Sequence, residues 1–372
     1  MKIVSVFGTR PQFVKAGMVS RQFRSCDSIQ EVVIDTGQHY DALMSEVFLR
    51  EFDMRPPDYN LEVGSASHGV QTARILERTE EILLRERPDC VIVYGDTNST
   101  LGGGLAAAKL HIPVVHVEAG LRSFNRRMPE ELNRIVTDHI SDLLLTPSEA
   151  AKTRLLEEGI PSARIVVVGD VMYDAVLLHL GSSERSSTII ERLDLSPKGY
   201  VLCTIHRAEN TDDPMRLENL IQALVKVADH LPVVFPVHPR SRKVLQSSGM
   251  AVQREGRLLL IDPVGYLDMI ALERHAAVVA TDSGGVQKEA FFLEVPCVTL
   301  RDQSEWTELF ATGWNRLAPP DGSTDVAGTI LSSIGRTGQL GVQPYGDGKA
   351  AFKVCAAVQG LVAAKANHTE TV

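Results

Sequence analysis

Apolar residues along the chain fall into short, nearly continuous runs that alternate with longer segments of helical periodicity. The runs are Ile3–Phe7, Val32–Asp35, Val91–Tyr94, Val114–Val117, Leu143–Thr146, Ile165–Val168, Val201–Ile205, Val233–Val237, Leu258–Ile261, Val278–Ala280 and Cys297–Leu300. Such runs are typical of strands buried on both faces of a parallel sheet. Between them, apolar residues recur on one helical face, as in residues 129–142. The alternation predicts βαβ units and therefore an α/β protein.

The runs are numerous enough for two doubly wound sheets, one in each half of the chain. The length of 372 residues also exceeds the size at which a single hydrophobic core usually stops growing. We therefore expect two Rossmann-like domains, residues 1–170 and 171–348, divided where the predicted strand before Gly169 ends. A last segment, residues 349–372, follows and contains an amphipathic stretch from Ala350 to Ala363.

Charge and cysteine content exclude several classes of protein. The chain carries 38 Lys and Arg against 47 Asp and Glu, a formal charge of −9, which argues against nucleic acid as a partner. No apolar run could span a bilayer, and the first residues lack a secretory signal, so we expect a cytoplasmic protein without membrane segments. Five scattered cysteines without metal-ligand spacing predict reduced, buried thiols and no metal site.

The turns after two predicted strands are suited to binding a phosphate. In Gly8-Thr9-Arg10-Pro11, the proline fits the first turn of a helix whose free N–H groups attract anions. Arg10 and Lys15 add positive charge, and a diphosphate cradle and a solvated helix start are equally good interpretations of this turn.

The second turn, Thr281-Asp282-Ser283-Gly284-Gly285, combines capping residues with glycines that allow a ligand to approach the backbone. Glu289 follows on the same helical face, where a carboxylate can bind the hydroxyls of a ribose. An ordinary capped helix is the alternative, but Glu289 favours a ligand site.

Three carboxylates stand at strand ends or at a helix start. Asp96 follows Val91–Tyr94, and Glu118 follows Val114–Val117. Ligands bind beyond the carboxyl ends of strands in open parallel sheets, so both are candidate acid–base groups, although such a carboxylate often only caps the next helix. Glu130 begins a predicted helix, where a salt bridge with Arg134 is the alternative interpretation.

Two histidines end predicted strands of the second half: His206 and His238. An imidazole there can act as an acid or base, although either could be structural. With the carboxylates and the phosphate turns, they predict a cleft between two domains, in which a diphosphate is bound and protons are moved on the attached group. Because neither a GxGxxG fingerprint nor a P-loop is present, a redox cofactor and nucleotide hydrolysis are not supported.

The same residues carry a resemblance to a known family. The motifs, in chain order, are Gly8-Thr9-Arg10-Pro11-Gln12-Phe13-Val14-Lys15, Gly37-Gln38-His39, Gly95-Asp96-Thr97, His116-Val117-Glu118-Ala119-Gly120-Leu121-Arg122, Pro129-Glu130-Glu131-Leu132-Asn133-Arg134, His206-Arg207, Thr281-Asp282-Ser283-Gly284-Gly285-Val286-Gln287 and Pro344-Tyr345-Gly346-Asp347-Gly348. Over nearly its whole length the chain closely resembles the non-hydrolysing UDP-N-acetylglucosamine 2-epimerases.

This resemblance implies a glycosyltransferase-B-like fold, in which two Rossmann-like domains face a central cleft, the second domain binds UDP, and a last helix in residues 349–372 crosses back to the first. It also implies a homodimer, a UDP-sugar substrate, and neither cofactor nor metal. The implied reaction interconverts UDP-GlcNAc and UDP-ManNAc by eliminating UDP to give 2-acetamidoglucal and then adding it back. The family points to polysaccharide biosynthesis.

Carried over motif by motif, the resemblance also implies roles for single residues. The implied catalytic residues are Asp96, Glu118, Glu130 and His206. The implied UDP-sugar contacts are Arg10, Lys15, His238, Ser283, Gly284, Gly285 and Glu289. Gln38 and His39 fall where some bacterial members have an allosteric site, but His39-Tyr40 departs from the commonest His-Arg, which leaves activation open.

Two further departures point to a branch of the family. Glu305-Trp306-Thr307-Glu308 and the short segment 123–128 resemble the branch that acts on UDP-2,3-diacetamido-2,3-dideoxyglucuronic acid. Our hypothesis is that Arg126 or Arg127 pairs with the carboxylate of that sugar, and arginines that are solvated or serve the dimer are an equal alternative. A glycosyltransferase with a UDP-sugar donor is the alternative of another class, since fold alone does not separate the two, but the carboxylates and His206 favour an epimerase.

Overall fold

The structure is a computed structural model that describes residues 1–38, 51–237 and 257–369, with side chains up to residue 365 in the last helix. The chain divides into two compact units, Met1–Ala175 with Gln343–Val372, and Val176–Val342. The sequence analysis expected a boundary after residue 170, whereas this division lies within the helix Val171–Ser186.

The first unit is built on a parallel sheet of seven strands in the order β3-β2-β1-β4-β5-β6-β7. The strands are β1 (Lys2–Phe7), β2 (Gln30–Asp35), β3 (Tyr59–Asn60), β4 (Cys90–Tyr94), β5 (Val114–Val117), β6 (Leu143–Thr146) and β7 (Ile165–Val167). The helices that follow these strands are α1 (Arg10–Arg24), α2 (His68–Glu86), α3 (Asn98–Lys109), α4 (Pro129–Ile140), α5 (Glu149–Glu157) and α6 (Val171–Ser186). The strand order reverses between β1 and β4, which makes the sheet doubly wound.

The second unit has a parallel sheet of six strands in the order β10-β9-β8-β11-β12-β13. Its strands are β8 (Val201–Thr204), β9 (Val233–Pro236), β10 (Leu258–Ile261), β11 (Val278–Thr281), β12 (Cys297–Thr299) and β13 (Asn315–Leu317). Its described helices are α7 (Ile189–Arg192), α8 (Ala208–Thr211), α9 (Pro214–Ala228), α10 (Tyr266–His275), α11 (Gly284–Phe292), α12 (Thr307–Ala311) and α13 (Val326–Leu331). The strand order reverses between β8 and β11, so this sheet is also doubly wound.

The prediction of an α/β protein with two Rossmann-like parallel sheets is confirmed. The central strands β4 and β5 are fully buried along their length, which is why their sequences are apolar without alternation. The sequence pattern missed β3 and β13. Each is a short strand at the edge of its sheet and includes polar residues, so neither has an apolar run to reveal it.

The last helix, α14 (Ala350–Thr369), belongs to the first unit. It packs against α1, where the sulfur atoms of Cys26 and Cys355 lie 3.5 Å apart. Its first turn is held by Asp174, whose carboxylate accepts hydrogen bonds from the amides of Ala350 (3.0 Å) and Ala351 (2.7 Å). Among the described helices, none has the length and apolar character needed to cross a membrane.

A run of three glycines lets α3 pack closely against its neighbours. A Cβ atom on Gly102 would lie 2.7 Å from Ile75 of α2, and one on Gly103 would lie 2.8 Å from Val6 of β1. Real Cβ atoms do not approach carbon atoms so closely, so glycine is needed at both positions. Helix α3 begins two residues after Asp96, so the helix that these glycines bring close to β1 and α2 is the one that leads out of the Asp96 turn.

We predict that Gly103→Ala lowers the free energy of unfolding by about 1–3 kcal/mol, because the added methyl group pushes α3 away from Val6. The matched control is Gly104→Ala, where the nearest atom to a new Cβ is 3.7 Å away. That variant should gain up to about 1 kcal/mol, since alanine favours the helix. Urea denaturation measures both, and equal effects at the two positions would contradict this explanation.

Candidate active site

A buried ion pair lies at the carboxyl edge of the first sheet. Lys15 of α1 forms a salt bridge with Glu118, which directly follows β5, and both residues are less than a tenth exposed. Both Glu118 and Gly95 have left-handed backbones, with φ of 73° and 63°. A side chain at position 95 would crowd the pair, because its Cβ would lie 3.3 Å from Lys15 Nζ and 3.4 Å from Glu118 Oε2. The turn after β4 therefore forms a wall of the space that the pair occupies.

Asp96 is held by an arginine rather than by the next helix. The guanidinium of Arg134 donates to Asp96 Oδ2 from Nη2 (2.6 Å) and Nε (3.0 Å). The cap of α3 is Thr97, so Asp96 is not the capping carboxylate that the sequence left open. Asn133 of the same helix donates to the Asp96 carbonyl oxygen at 2.9 Å. Helix α4 thus fixes both the side chain and the backbone of Asp96.

The adjacent residues Glu130 and Glu131 have different environments. Glu131 is buried and accepts hydrogen bonds at 2.8 Å from the amides of Ser123 and Phe124 and from Arg134 Nη1. Burial raises the pKa of Glu131, but these donors outweigh it and hold the pKa below its usual value. Glu130 is half-buried, and the salt bridge to Arg134 that the sequence suggested is not formed within the described residues. Glu130 is thus left accessible at the start of α4.

A fully buried carboxylate, Asp138, lies behind this edge. Its Oδ1 is 2.7 Å from His116 Nδ1, and its Oδ2 accepts from Arg122 Nη1 at 2.7 Å and from the Gly120 amide at 3.2 Å. Burial raises the pKa of Asp138, but the opposing effects of His116 and Arg122 are stronger, and the pKa lies below its usual value. The sequence analysis did not single out Asp138. The signal was a polar residue on the buried face of an amphipathic helix.

One buried glutamine holds the turn after β1, and a second lies in the turn after β2. Gln12 accepts hydrogen bonds from the amides of Gly8 (3.0 Å) and Thr9 (3.2 Å) and donates to the Tyr94 carbonyl oxygen at 2.7 Å. Gln38 is buried and accepts from the amide and hydroxyl of Ser99. Arg10 is exposed at the start of α1.

In the second unit, Asp282 is a buried carboxylate next to a histidine, as Asp138 is in the first. It is fully buried and accepts hydrogen bonds at 3.1 Å from the amides of His206 and Arg207 and from Asn210 Nδ2. The ring atom His206 Nδ1 lies 3.2 Å from Asp282 Oδ1, while the His206 side chain remains 45% exposed. Burial raises the pKa of Asp282, but His206 and the other donors hold it below its usual value.

The predicted phosphate turn after β11 begins α11. Ser283 is its N-cap and accepts from the Val286 amide, whereas Asp282, expected as a second capping residue, binds the His206 turn instead. Gly284 and Gly285 form the first turn, and Glu289 is buried one turn later. The N–H groups at this end of α11 form the kind of helix N-terminus that attracts phosphate.

The structure therefore gathers the predicted residues into one set per unit. In the first unit, Lys15, Asp96, Glu118 and Glu130 lie at the carboxyl edge of the sheet or at the helix beside it. In the second, His206 and the Ser283–Gly285 turn are joined through Asp282. His39 and His238 lie outside the described residues. In the part of the chain that the structure describes, no group of three His, Cys, Asp or Glu side chains is arranged to hold a metal ion.

Comparison with known proteins gives a consistent result. Residues 21–359 match a family model described as UDP-N-acetylglucosamine 2-epimerase. The chain is 52% identical to a UDP-N-acetylglucosamine 2-epimerase homolog from Methanococcus maripaludis, over 85% of this chain and 88% of the relative. It is 47% identical to the UDP-2,3-diacetamido-2,3-dideoxy-D-glucuronate 2-epimerase of Pseudomonas aeruginosa, over 95% and 98% of the two chains.

A solved structure is similar over nearly the whole chain. The UDP-GlcNAc 2-epimerase of Methanocaldococcus jannaschii, crystallised in complex with UDP-GlcNAc and UDP, matches with a TM-score of 0.89 and 38% sequence identity. The match covers 96% of this chain and 99% of that protein.

Proposed function

The chain belongs to the UDP-N-acetylglucosamine 2-epimerase family, and from this premise we propose that it is an isomerase that interconverts UDP-GlcNAc and UDP-ManNAc. The observation that carries the proposal is the set of carboxylates at one sheet edge, Asp96, Glu118 and Glu130, with Lys15 paired to one of them. Such a set can remove and return a proton at carbon while charge changes nearby.

Binding of UDP is assigned to the second unit and to the first turn of α1. The amides of Ser283, Gly284 and Gly285 and the N-terminus of α11 would hold the diphosphate, and Glu289 the ribose. Arg10 and His238 are proposed to contact the UDP-sugar. Lys15 would stabilise negative charge as UDP leaves, which requires its contact with Glu118 to rearrange when substrate binds.

The proposed reaction has two stages. In the first, a carboxylate takes the proton from C2 while the C1–O bond breaks, so the electron pair of the C–H bond forms the double bond of 2-acetamidoglucal and UDP departs with the pair of the C1–O bond. In the second, UDP adds back to C1 and a proton is delivered to the opposite face of C2. Two faces require more than one acid–base group, which the four candidates Asp96, Glu118, Glu130 and His206 supply.

The family resemblance also supports a homodimer in the cytoplasm that serves polysaccharide biosynthesis and needs neither cofactor nor metal. Gln38 and His39 remain proposed as part of a second, allosteric UDP-GlcNAc site. Gln38 is buried against Ser99, so a ligand there would have to displace or share that hydrogen bond.

The direct test is to incubate the purified protein with UDP-GlcNAc in D2O and follow C2 by NMR. We expect deuterium at C2 and a mixture of gluco and manno isomers, because the proton removed exchanges with solvent before it is returned. A product with protium at C2 and unchanged configuration would contradict the proposal. Transfer of the sugar to an added acceptor without exchange would support the glycosyltransferase alternative.

Glu130 and Glu131 provide a matched pair of variants. Glu130→Gln should lower kcat by about 10²–10⁴-fold with little change in stability, because the side chain is half-buried at the helix start and forms no hydrogen bond or ion pair with the residues that the structure describes. Glu131→Gln should lower the free energy of unfolding by about 1–3 kcal/mol, because the new NH2 group would face either the Phe124 amide at Oε1 or the Ser123 amide and Arg134 at Oε2, and a buried donor would lose its acceptor. Thermal unfolding and kcat are measured on both variants. A loss of stability in Glu130→Gln with a loss of kcat alone in Glu131→Gln would contradict this interpretation.

A second substrate is favoured by one comparison. The Pseudomonas aeruginosa relative that matches 95% of this chain is named for UDP-2,3-diacetamido-2,3-dideoxy-D-glucuronate. Arg126 and Arg127 are exposed between β5 and α4, four and three residues before Glu130. Their guanidinium groups form no ion pair with a described residue, which leaves them available to a sugar carboxylate.

If the uronate is the substrate, Arg126→Ala or Arg127→Ala should lower kcat/KM for it by about 10–100-fold, as expected for a lost charged hydrogen bond. Turnover of UDP-GlcNAc by the same variant serves as the control and should stay unchanged. Deuterium exchange at C2 of both substrates measures the two rates. If the ratio of kcat/KM for the uronate to that for UDP-GlcNAc is unchanged in both variants, the arginines do not bind the sugar carboxylate.

A further inference from the structure

A histidine that lies behind the carboxylates joins helix α4 to the Asp96 turn. His116 is fully buried in β5, and its two ring nitrogens face different elements. Nε2 lies 2.6 Å from the carbonyl oxygen of Gly95, and Nδ1 lies 2.7 Å from Asp138 Oδ1. Both distances are short for hydrogen bonds of an imidazole, so the ring is held firmly at both ends.

The partners determine where the protons are. A backbone carbonyl can only accept, so Nε2 carries a proton and donates to Gly95. Asp138 accepts from Arg122 and from the Gly120 amide through its other oxygen, which favours the ionised carboxylate. An ionised carboxylate also only accepts, so Nδ1 must carry a proton as well.

The charges around the ring are compatible with this state. Asp138 faces it from α4, and Arg122, which is also paired with Glu158, lies on the far side of Asp138. On the opposite side of the ring, Gly95 lies between His116 and the Lys15–Glu118 ion pair. The buried cations His116 and Arg122 are thus opposed by the buried Asp138 and, at the surface, by Glu158.

The bond to Gly95 controls the turn that carries Asp96. Gly95 has a left-handed backbone, and its amide donates to the Val117 carbonyl oxygen at 2.9 Å. Since His116 also binds its carbonyl oxygen, Gly95 is held at both its N–H and its C=O directly before Asp96. His116 also lies on β5, two residues before Glu118 in the chain. Its ring therefore connects α4, through Asp138, with the backbone segments that carry Asp96 and Glu118.

We propose that His116, with a proton on each ring nitrogen, is a positioning residue that fixes the Gly95–Asp96 turn against helix α4 for the proposed epimerase reaction. It does not contact substrate, because it is fully buried. Its effect is on the geometry of Asp96 and Glu118, and small displacements of reacting groups reduce rates strongly.

Two amide substitutions separate the two ends of the ring. The amide of His116→Gln extends to the place of Nε2 and can still donate to Gly95, whereas that of His116→Asn extends only to the place of Nδ1 and keeps the bond to Asp138. We expect His116→Asn to lower kcat by about 10–100-fold with KM changed less than about 3-fold, and His116→Gln to restore most of kcat. Equal kcat in the two variants, or a loss that follows only their thermal stability, would overturn the positioning role.

The matched control is His179→Gln. His179 is also buried and packs edge-on against Tyr266 with ring centroids 5.5 Å apart, and it is not one of the candidate residues. This variant should lower the thermal midpoint and leave kcat of the folded protein unchanged.

A measurement on the wild-type protein tests the protonation state without any substrate. NMR of protein with 15N-labelled histidine at about pH 7 should show two protonated ring nitrogens for His116, assigned by their loss in His116→Gln. A single ring proton would overturn the proposed state. If the wild-type protein exchanges no deuterium at C2 of either UDP-sugar, the proposed function fails, whereas this spectrum still tests the inference about the ring.

Discussion

Burial of one carboxylate in each unit is the constraint on which the rest of the site depends. Asp138 and Asp282 are both fully buried, and a buried charge is costly unless donors surround it. Each lies next to a histidine and accepts from at least one backbone amide: Asp138 from Gly120, and Asp282 from His206 and Arg207. Removing either charge would leave several buried donors without a partner, so the carboxylates keep the turns that carry the candidate residues in a single conformation.

The same pairing of histidine and aspartate gives the two units different capabilities. In the first unit the ring of His116 is fully buried, so it can only hold the backbone of Gly95 in place. In the second unit the side chain of His206 is 45% exposed, so Asp282 orients an imidazole that remains available to a ligand. Exposure rather than residue type distinguishes a positioning histidine from a candidate acid or base.

The acidic groups at the edge of the first sheet are also divided by their partners. Glu131 and Asp96 share the guanidinium of Arg134, which fixes the loop before α4 and the turn after β4 together. Glu118 is matched by Lys15, so this buried carboxylate is compensated in the absence of a ligand. A chain with a net charge of −9 can thus bind an anionic substrate, because the electrostatic potential at the site depends on nearby cationic groups and helix N-termini rather than on the net charge.

The hydrophobic pattern and the motifs along the chain were sufficient to predict the class of fold and most of the candidate residues. Strands buried on both faces must be apolar throughout, so Cys90–Tyr94 and Val114–Val117 were evident, and polar residues at their ends stood out against them. The partner of each polar group could not be predicted in this way, because it depends on contacts between elements that are distant in the chain. The spacing offered a Glu130–Arg134 salt bridge as the alternative interpretation of Glu130. Arg134 instead pairs with Asp96 and Glu131, because the turn after β4 brings Asp96 within reach and Glu131 lies on the buried side of the helix. The roles of His116 and Asp138 likewise depend on contacts between β5, α4 and the Gly95 turn, which residue spacing along the chain does not encode.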